Sequence, residues 1–302
     1  MQLITVLEYN EDAVNTFVST KSNIIISVSS DKSITIFNYF YKIIQKIKEA
    51  HHGVIFDIVL KDDNNFATCS SDRSIKTWVK SINNKYILNK SIIYSRHEDD
   101  IHKIEYLDDY TIISASRDSK IKIWNLVDDQ YKCNIILENE LPVFSLLYIK
   151  EENILISTGL YNSFFWILNN IYNEMNPFRI WISAVCHGKN ALKRLDKDRV
   201  VFGGHFEIQI VSLKEKQKIK EIQLPFLVWA ICVIENKKVF ICGGCSNNIA
   251  IFSMDNYDNS RIIENCHNGK IRGISLLNNG KIISGSEDKR TKIWKIIHNN
   301  KL

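Results

Sequence analysis

The stretch SASRDSKIKIW, Ser114 to Trp124, consists of two short runs of alternating side chains joined by a polar turn centred on Asp118. Alternation with a period of two is the pattern of a half-buried strand, and Asp with its Ser and Arg neighbours supplies turn chemistry. The segment therefore reads as strand, turn, strand. Near-copies lie elsewhere: SVSSDKSITIF at 27–37, SSDRSIKTW at 70–78 and SGSEDKRTKIW at 284–294. Their aspartates, Asp31, Asp72, Asp118 and Asp288, advance in steps of about 40–45 residues, and the long last interval holds four such steps. Three weaker copies fill it: STGLYNSFFWI at 157–167, VFGGHFEIQIV at 201–211 and CGGCSNNIAIF at 242–252. The chain is thus seven copies of one unit.

A period of about 40–45 residues with four short strands per unit predicts an all-β fold, a seven-bladed β-propeller of four-stranded antiparallel blades, with residues 1–302 as a single domain. A second regularity supports it. Ten residues before the Ser or Thr that leads each turn stand Phe17, Ile58, Ile104, Leu147, Cys232 and Ile274, and thirteen before it stand Val14, Ile55, Ile101, Phe144, Trp229 and Ile271, all core-type side chains. The fifth unit departs from this register, and only Leu192 and Leu195 are placed inward there. The last unit runs out one strand short, while residues 2–8 precede the first unit as a surplus strand. They are predicted to complete the seventh blade and close the ring.

Three units carry a histidine seventeen residues before the Ser/Thr, an Asp four after it and a Trp six beyond that: His51/Thr68/Asp72/Trp78, His97/Ser114/Asp118/Trp124 and His267/Ser284/Asp288/Trp294. With this spacing the sequence resembles the WD40-repeat family over essentially its whole length. The resemblance implies that each set forms a hydrogen-bonded brace within its blade. The first unit keeps a partial set, Asn10, Ser27, Asp31 and Phe37, and the middle three units are degenerate. The naming dipeptide is never complete, since Val79, Asn125 and Lys295 follow the three tryptophans. Ser, His and Asp together also suggest a hydrolase triad, but three equally spaced copies fit a repeated brace and not three active sites.

Composition bounds the function. The 302 residues are 45% hydrophobic and 24% charged, and the net charge of +5 is modest, so a dedicated nucleic-acid binder is not expected. MQLITVLEYNED has no signal-peptide pattern and no apolar run reaches membrane-spanning length, which leads us to expect a soluble, cytoplasmic (or nuclear) chain with no membrane partner. Seven scattered cysteines do not read as a disulfide framework. Phosphate-binding, dinucleotide and zinc-protease motifs are absent, so neither an enzyme nor a cofactor is expected. FICGGCSN at 240–247 contains a C-x-x-C, yet its register makes Cys242 the Ser/Thr position of the sixth unit. It is read as a degenerate blade turn, with no metal site.

Positions near the channel rim are expected to select partners. Counting twelve back from the Ser/Thr gives Asn15, Phe56, His102, Ser145, Ala230 and Arg272, and the residues before the turn aspartates give Ser30, Ser71, Arg117 and Glu287 on the same face. Of these, Asn15, Phe56, His102, Arg117, Arg272 and Glu287 are the candidate contacts. His102, Arg117 and Arg272 suit an acidic or phosphorylated peptide. The expected function is a non-enzymatic protein–protein interaction scaffold or adaptor, a monomeric propeller within an intracellular hetero-complex. The alternative is a nucleic-acid-associated propeller subunit in RNA processing or chromatin.

Overall fold

A computed structural model describes residues 1–92, 97–159, 163–168, 178–182, 188–257 and 260–297, with 178–182 described in backbone only. Among the described residues twenty-eight strands, numbered in chain order, form seven four-stranded antiparallel sheets. Each of the first six sheets pairs four consecutive strands in chain order, taken from residues 14–47, 55–92, 101–138, 145–182, 192–223 and 228–263. The seventh is β26 (Ile271–Leu276), β27 (Ile282–Ser286) and β28 (Arg290–Lys295) with β1 (Gln2–Glu8) as its outer strand, paired from Gln2↔Lys295 to Glu8↔Arg290. The chain is a seven-bladed propeller whose ring is closed by residues 2–8.

The first strand of each blade faces the axis: β2 (Val14–Ser19), β6 (Ile55–Leu60), β10 (Ile101–Tyr106), β14 (Ser145–Ile149), β18 (Leu192–Arg194), β22 (Val228–Ile234) and β26 (Ile271–Leu276). Each contacts the next around the ring, from β2 to β6 and on to β26 against β2. Third strands such as β12 (Lys120–Val127) bury a continuous middle stretch, Ile121 to Trp124. Outermost strands such as β21 (Gln217–Gln223) are largely exposed, as expected for a sheet with only one neighbour at its rim. Lys218 and Lys220 lie on this outer strand, and Lys216 stands in the turn before it with φ 54°.

Apolar side chains fill the spaces between blades. Ile26, Ile34 and Ile36 of the first blade meet Ile55, Ile58 and Phe66 of the second, and Val14, Phe17 and Phe37 meet Ile283 and Ile293 across the closure. The inner strands crowd at Gly273, where a Cβ would lie 2.5 Å from the Asn15 carbonyl oxygen, so only glycine fits.

The repeated turn has one geometry. Asp31, Asp72, Asp118 and Asp288 donate their backbone N–H to Ser29, Ser70, Ser116 and Ser286 Oγ at 3.1 Å. Each Oδ1 accepts the N–H two residues on, at 2.9–3.0 Å. The residue between, Lys32, Arg73, Ser119 or Lys289, is left-handed with φ 65–66°. This Asx turn explains why Asp recurs.

Braces and the channel mouth as candidate functional sites

The three predicted tetrads come together in their blades. His51 Nδ1 lies 2.9 Å from Asp72 Oδ2, its Nε2 lies 2.8 Å from Thr68 Oγ1, and Trp78 Nε1–H donates to the same hydroxyl at 2.9 Å. His97, Ser114, Asp118 and Trp124 repeat this at 2.8 Å throughout, and His267, Ser284, Asp288 and Trp294 at 2.8–3.0 Å. Each Asp Oδ2 also accepts a backbone N–H at 2.9 Å, from His52, Glu98 or Asn268. The network assigns the proton: Nδ1–H donates to the carboxylate, the hydroxyl donates to Nε2, and the indole N–H fills a lone pair of the hydroxyl oxygen. Thr68, Ser114 and Ser284 are fully buried, so the hydroxyl of this triad-like arrangement has no room for a substrate carbonyl.

Burial pushes the imidazoles of His51, His97 and His267 below their ordinary pKa against the pull of the partner aspartates, so they are neutral at pH 7. Burial alone would raise the carboxyls. The imidazole and backbone N–H bonds outweigh it, holding Asp118 at about 2 and Asp72 and Asp288 below their ordinary value as well.

The other blades vary the theme. In the first, Tyr9 in place of Asn10 meets the hydroxyl: its O–H donates to Ser27 Oγ at 3.0 Å and lies 2.9 Å from Thr291 Oγ1, tying the first blade to the seventh. In the fourth, Trp166 Nε1–H donates to Ser157 Oγ at 2.7 Å, and that hydroxyl donates to Asn139 Oδ1 at 3.3 Å. The register Ser157↔Phe164 is one residue tighter than Thr68↔Lys76, which puts Trp166, and not Ile167, at the tryptophan position. In the sixth, Cys242 does occupy the Ser/Thr position, opposite Ala250, and burial raises its thiol pKa well above the ordinary range. Ser246 Oγ accepts the Asn248 N–H, as the turn Asp does elsewhere. Among the described residues no group of three or more His, Cys, Asp or Glu side chains could hold a metal ion.

The rim is built by backbone irregularity. Register shifts pass over Asn15, Phe56, His102, Trp229 and Arg272 at the start of their inner strands, and such bulges re-aim a side chain, here toward the mouth of the channel. Of the expected rim positions, Asn15, Phe56, His102 and Arg272 each fall at such a shift. In the fourth and sixth units the count was off by one: Leu146 pairs Ser157 and Ile231 pairs Cys242, so the connection between first and second strands is one residue longer. Phe144 and Trp229 thus take the rim places assigned to Ser145 and Ala230, and both are only half-buried.

At the mouth, His102 is sandwiched between Phe56, 5.0 Å away between centroids, and Phe144, stacked at 4.7 Å. His102 is 4% exposed, and neither ring nitrogen has a hydrogen-bond partner among the described residues. Burial, helped by Lys189 and Arg117, drives its pKa down to about 2. Lys189, from the fifth unit, reaches across the opening to set its ammonium 2.9 Å from the centroid of Phe56. On the other side Arg272 lies 4.6 Å over the Trp229 ring and pairs with Glu287 through Nη2, and Lys270 covers the same indole at 5.4 Å. Arg117 is exposed and 3.9 Å from Asp99. Asn15 is committed inward, its amide donating to Ile55 O at 2.7 Å and to Ser30 Oγ at 3.2 Å.

Comparison with known proteins agrees with this geometry. The WD40 family model, described as WD domain, G-beta repeat, matches residues 42–78, 89–125 and 260–295. These stretches include Trp78, Trp124 and Trp294. Three of the chain's repeats thus match the WD40 family model, and the fold is a seven-bladed β-propeller. An uncharacterized WD repeat-containing protein of Schizosaccharomyces pombe is 29% identical over 100 residues, which cover 33% of this chain and 26% of the relative. No helix among the described residues is long and apolar enough to cross a membrane.

Proposed function

We propose that this chain is a non-enzymatic protein-interaction scaffold or adaptor, a subunit of an intracellular multiprotein complex, and that its partner docks on the rim carrying Phe56, His102, Arg117, Arg272 and Glu287, with Asn15 as packing beneath it. The observation that supports it is the collar of Phe56, His102, Phe144 and Lys189 beside Trp229 and Arg272. Aromatic and Arg side chains gathered at one opening are the chemistry of binding hot spots. A rigid ring presents them at little entropic cost. Lys189 has no carboxylate partner among the described residues, and its ammonium and the exposed Arg117 favour an acidic or phosphorylated segment.

The test is quantitative co-purification from cells with wild-type chain and with Arg117→Ala/Arg272→Ala. Partners held by the wild type should be lost from the variant while its melting temperature changes by no more than about 2 °C, as for surface changes. Retention of the same partners by a stably folded variant contradicts the rim assignment.

A further inference from the structure

Below the collar the channel widens into a cavity of about 530 Å³. Its lining comes from the second halves of the inner strands, Asp57, Lys103, Glu105 and Lys193 among them, and from Asn278 in the turn beyond β26. None of Phe56, His102, Phe144 or Lys189 lines it, so it belongs to the face opposite the collar and does not depend on the rim reading above.

The four charges are unequally matched. Lys103 Nζ is 3.0 Å from Asp57 Oδ2, which also accepts the Ile104 N–H at 3.2 Å, and Asn190 Oδ1 lies 3.4 Å from the same ammonium. That pair is complete. Lys193 makes no hydrogen bond or ion pair among the described residues. Glu105 accepts one bond, from the Tyr148 N–H to Oε2 at 2.9 Å, and forms no ion pair there. One cation and one anion thus face a single cavity without touching each other. Burial pushes the Lys193 amine below and the Glu105 carboxyl above their ordinary values, the direction expected of charges lacking close counter-ions.

We propose that this half of the channel binds a small zwitterion of amino-acid size, its carboxylate on Lys193 and its ammonium on Glu105. An anion alone would satisfy Lys193 but be repelled by Glu105, and a cation alone would do the reverse. A ligand carrying both charges completes the set, and the cavity holds one with room for bridging water.

Isothermal titration calorimetry of the full chain with free L-alanine, L-serine, L-glutamate and L-lysine tests this. At least one should bind, while its methyl ester, which lacks the carboxylate, and its N-acetyl form, which lacks the ammonium, bind at least tenfold more weakly. These ligand-side controls need no altered protein. Lys193→Gln and Glu105→Gln, if folded, should each weaken binding at least tenfold. Absence of binding by all four amino acids overturns the proposal. So does equal binding of the N-acetyl form, or tighter binding to Glu105→Gln, either of which would make this an anion site.

Discussion

Blades two, three and seven and blades four to six solve the same packing problem in two ways. In the first group a buried hydroxyl, imidazole and carboxylate are joined at 2.8–3.0 Å and closed by an indole N–H. In the second, the largest apolar cluster of the molecule runs from Ile149 and Phe165 through Phe202 and Val211 to Phe240, Cys242 and Phe252. There Cys242 fills the hydroxyl position and Phe240 stacks on Phe252 at 5.0 Å. The blade backbone therefore does not require the brace. A satisfied polar network and a well-packed apolar filling are interchangeable, as expected when neither leaves a buried group unpaired.

The largest effect should come from neither arc but from the seam. Deleting Met1–Glu8 removes β1, exposes the β28 edge and uncovers the Leu7 packing against the Val14, Phe37 and Ile293 cluster. We expect loss of a single cooperative thermal transition, followed by circular dichroism. A melt matching that of the full chain would show that the ring does not need its closing strand.

Next come the two fillings themselves. Phe252→Ala should cost about 3–5 kcal/mol in chemical denaturation, the usual range for emptying an aromatic site in a tight core. Asp118→Ala should cost about 2–3 kcal/mol, because it leaves the His97 Nδ1–H and the Glu98 N–H without their acceptor. If Asp118→Ala proved neutral, the braced blades would be held by packing alone and the contrast between the arcs would collapse.

Acid separates the arcs further. The brace imidazoles have lowered folded-state pKa values, so their contribution is fully present above the ordinary imidazole value of about 6.5 and is lost as pH falls below it. The depressed aspartates act in the same direction at lower pH. Their contribution is present above about 3.9 and is lost as pH falls toward the folded value, about 2 for Asp118. Stability should therefore fall from pH 7 to pH 4, and less steeply in His97→Leu than in the wild type. Parallel pH profiles would remove the histidines from the account.

The braces were legible because fixed residue spacings encode them: the connection between the first and second strands has the same length in all three braced units. The rim was legible only where the first connection keeps its length. One extra residue before Ser157 and before Cys242 shifted the count, although Val143-Phe144 and Val228-Trp229 repeat the Ile55-Phe56 order and could have corrected it. Lys189 and Tyr9 carried no such signal. Each reaches its partner from outside the aligned part of its unit, by tertiary contact.

Trp166 gives the finest comparison, because the fourth blade has half of each solution. Its indole donates to Ser157 as Trp124 donates to Ser114. Beyond the hydroxyl the two chains differ. Ser114 leads through His97 to a carboxylate, whereas Ser157 leads to Asn139, whose amide ends on the Leu141 carbonyl oxygen at 2.9 Å. Hydrogen bonds that end on an ion are roughly twice as strong as neutral ones, and each member of a chain polarises the next. Trp124→Phe should therefore cost about 1–2 kcal/mol and Trp166→Phe about 0.5–1 kcal/mol, measured as the shift in denaturation midpoint at constant slope. Equal costs would mean that the indole N–H is worth the same whether or not a carboxylate stands behind it, and that the repeated Asp serves the turn more than the brace.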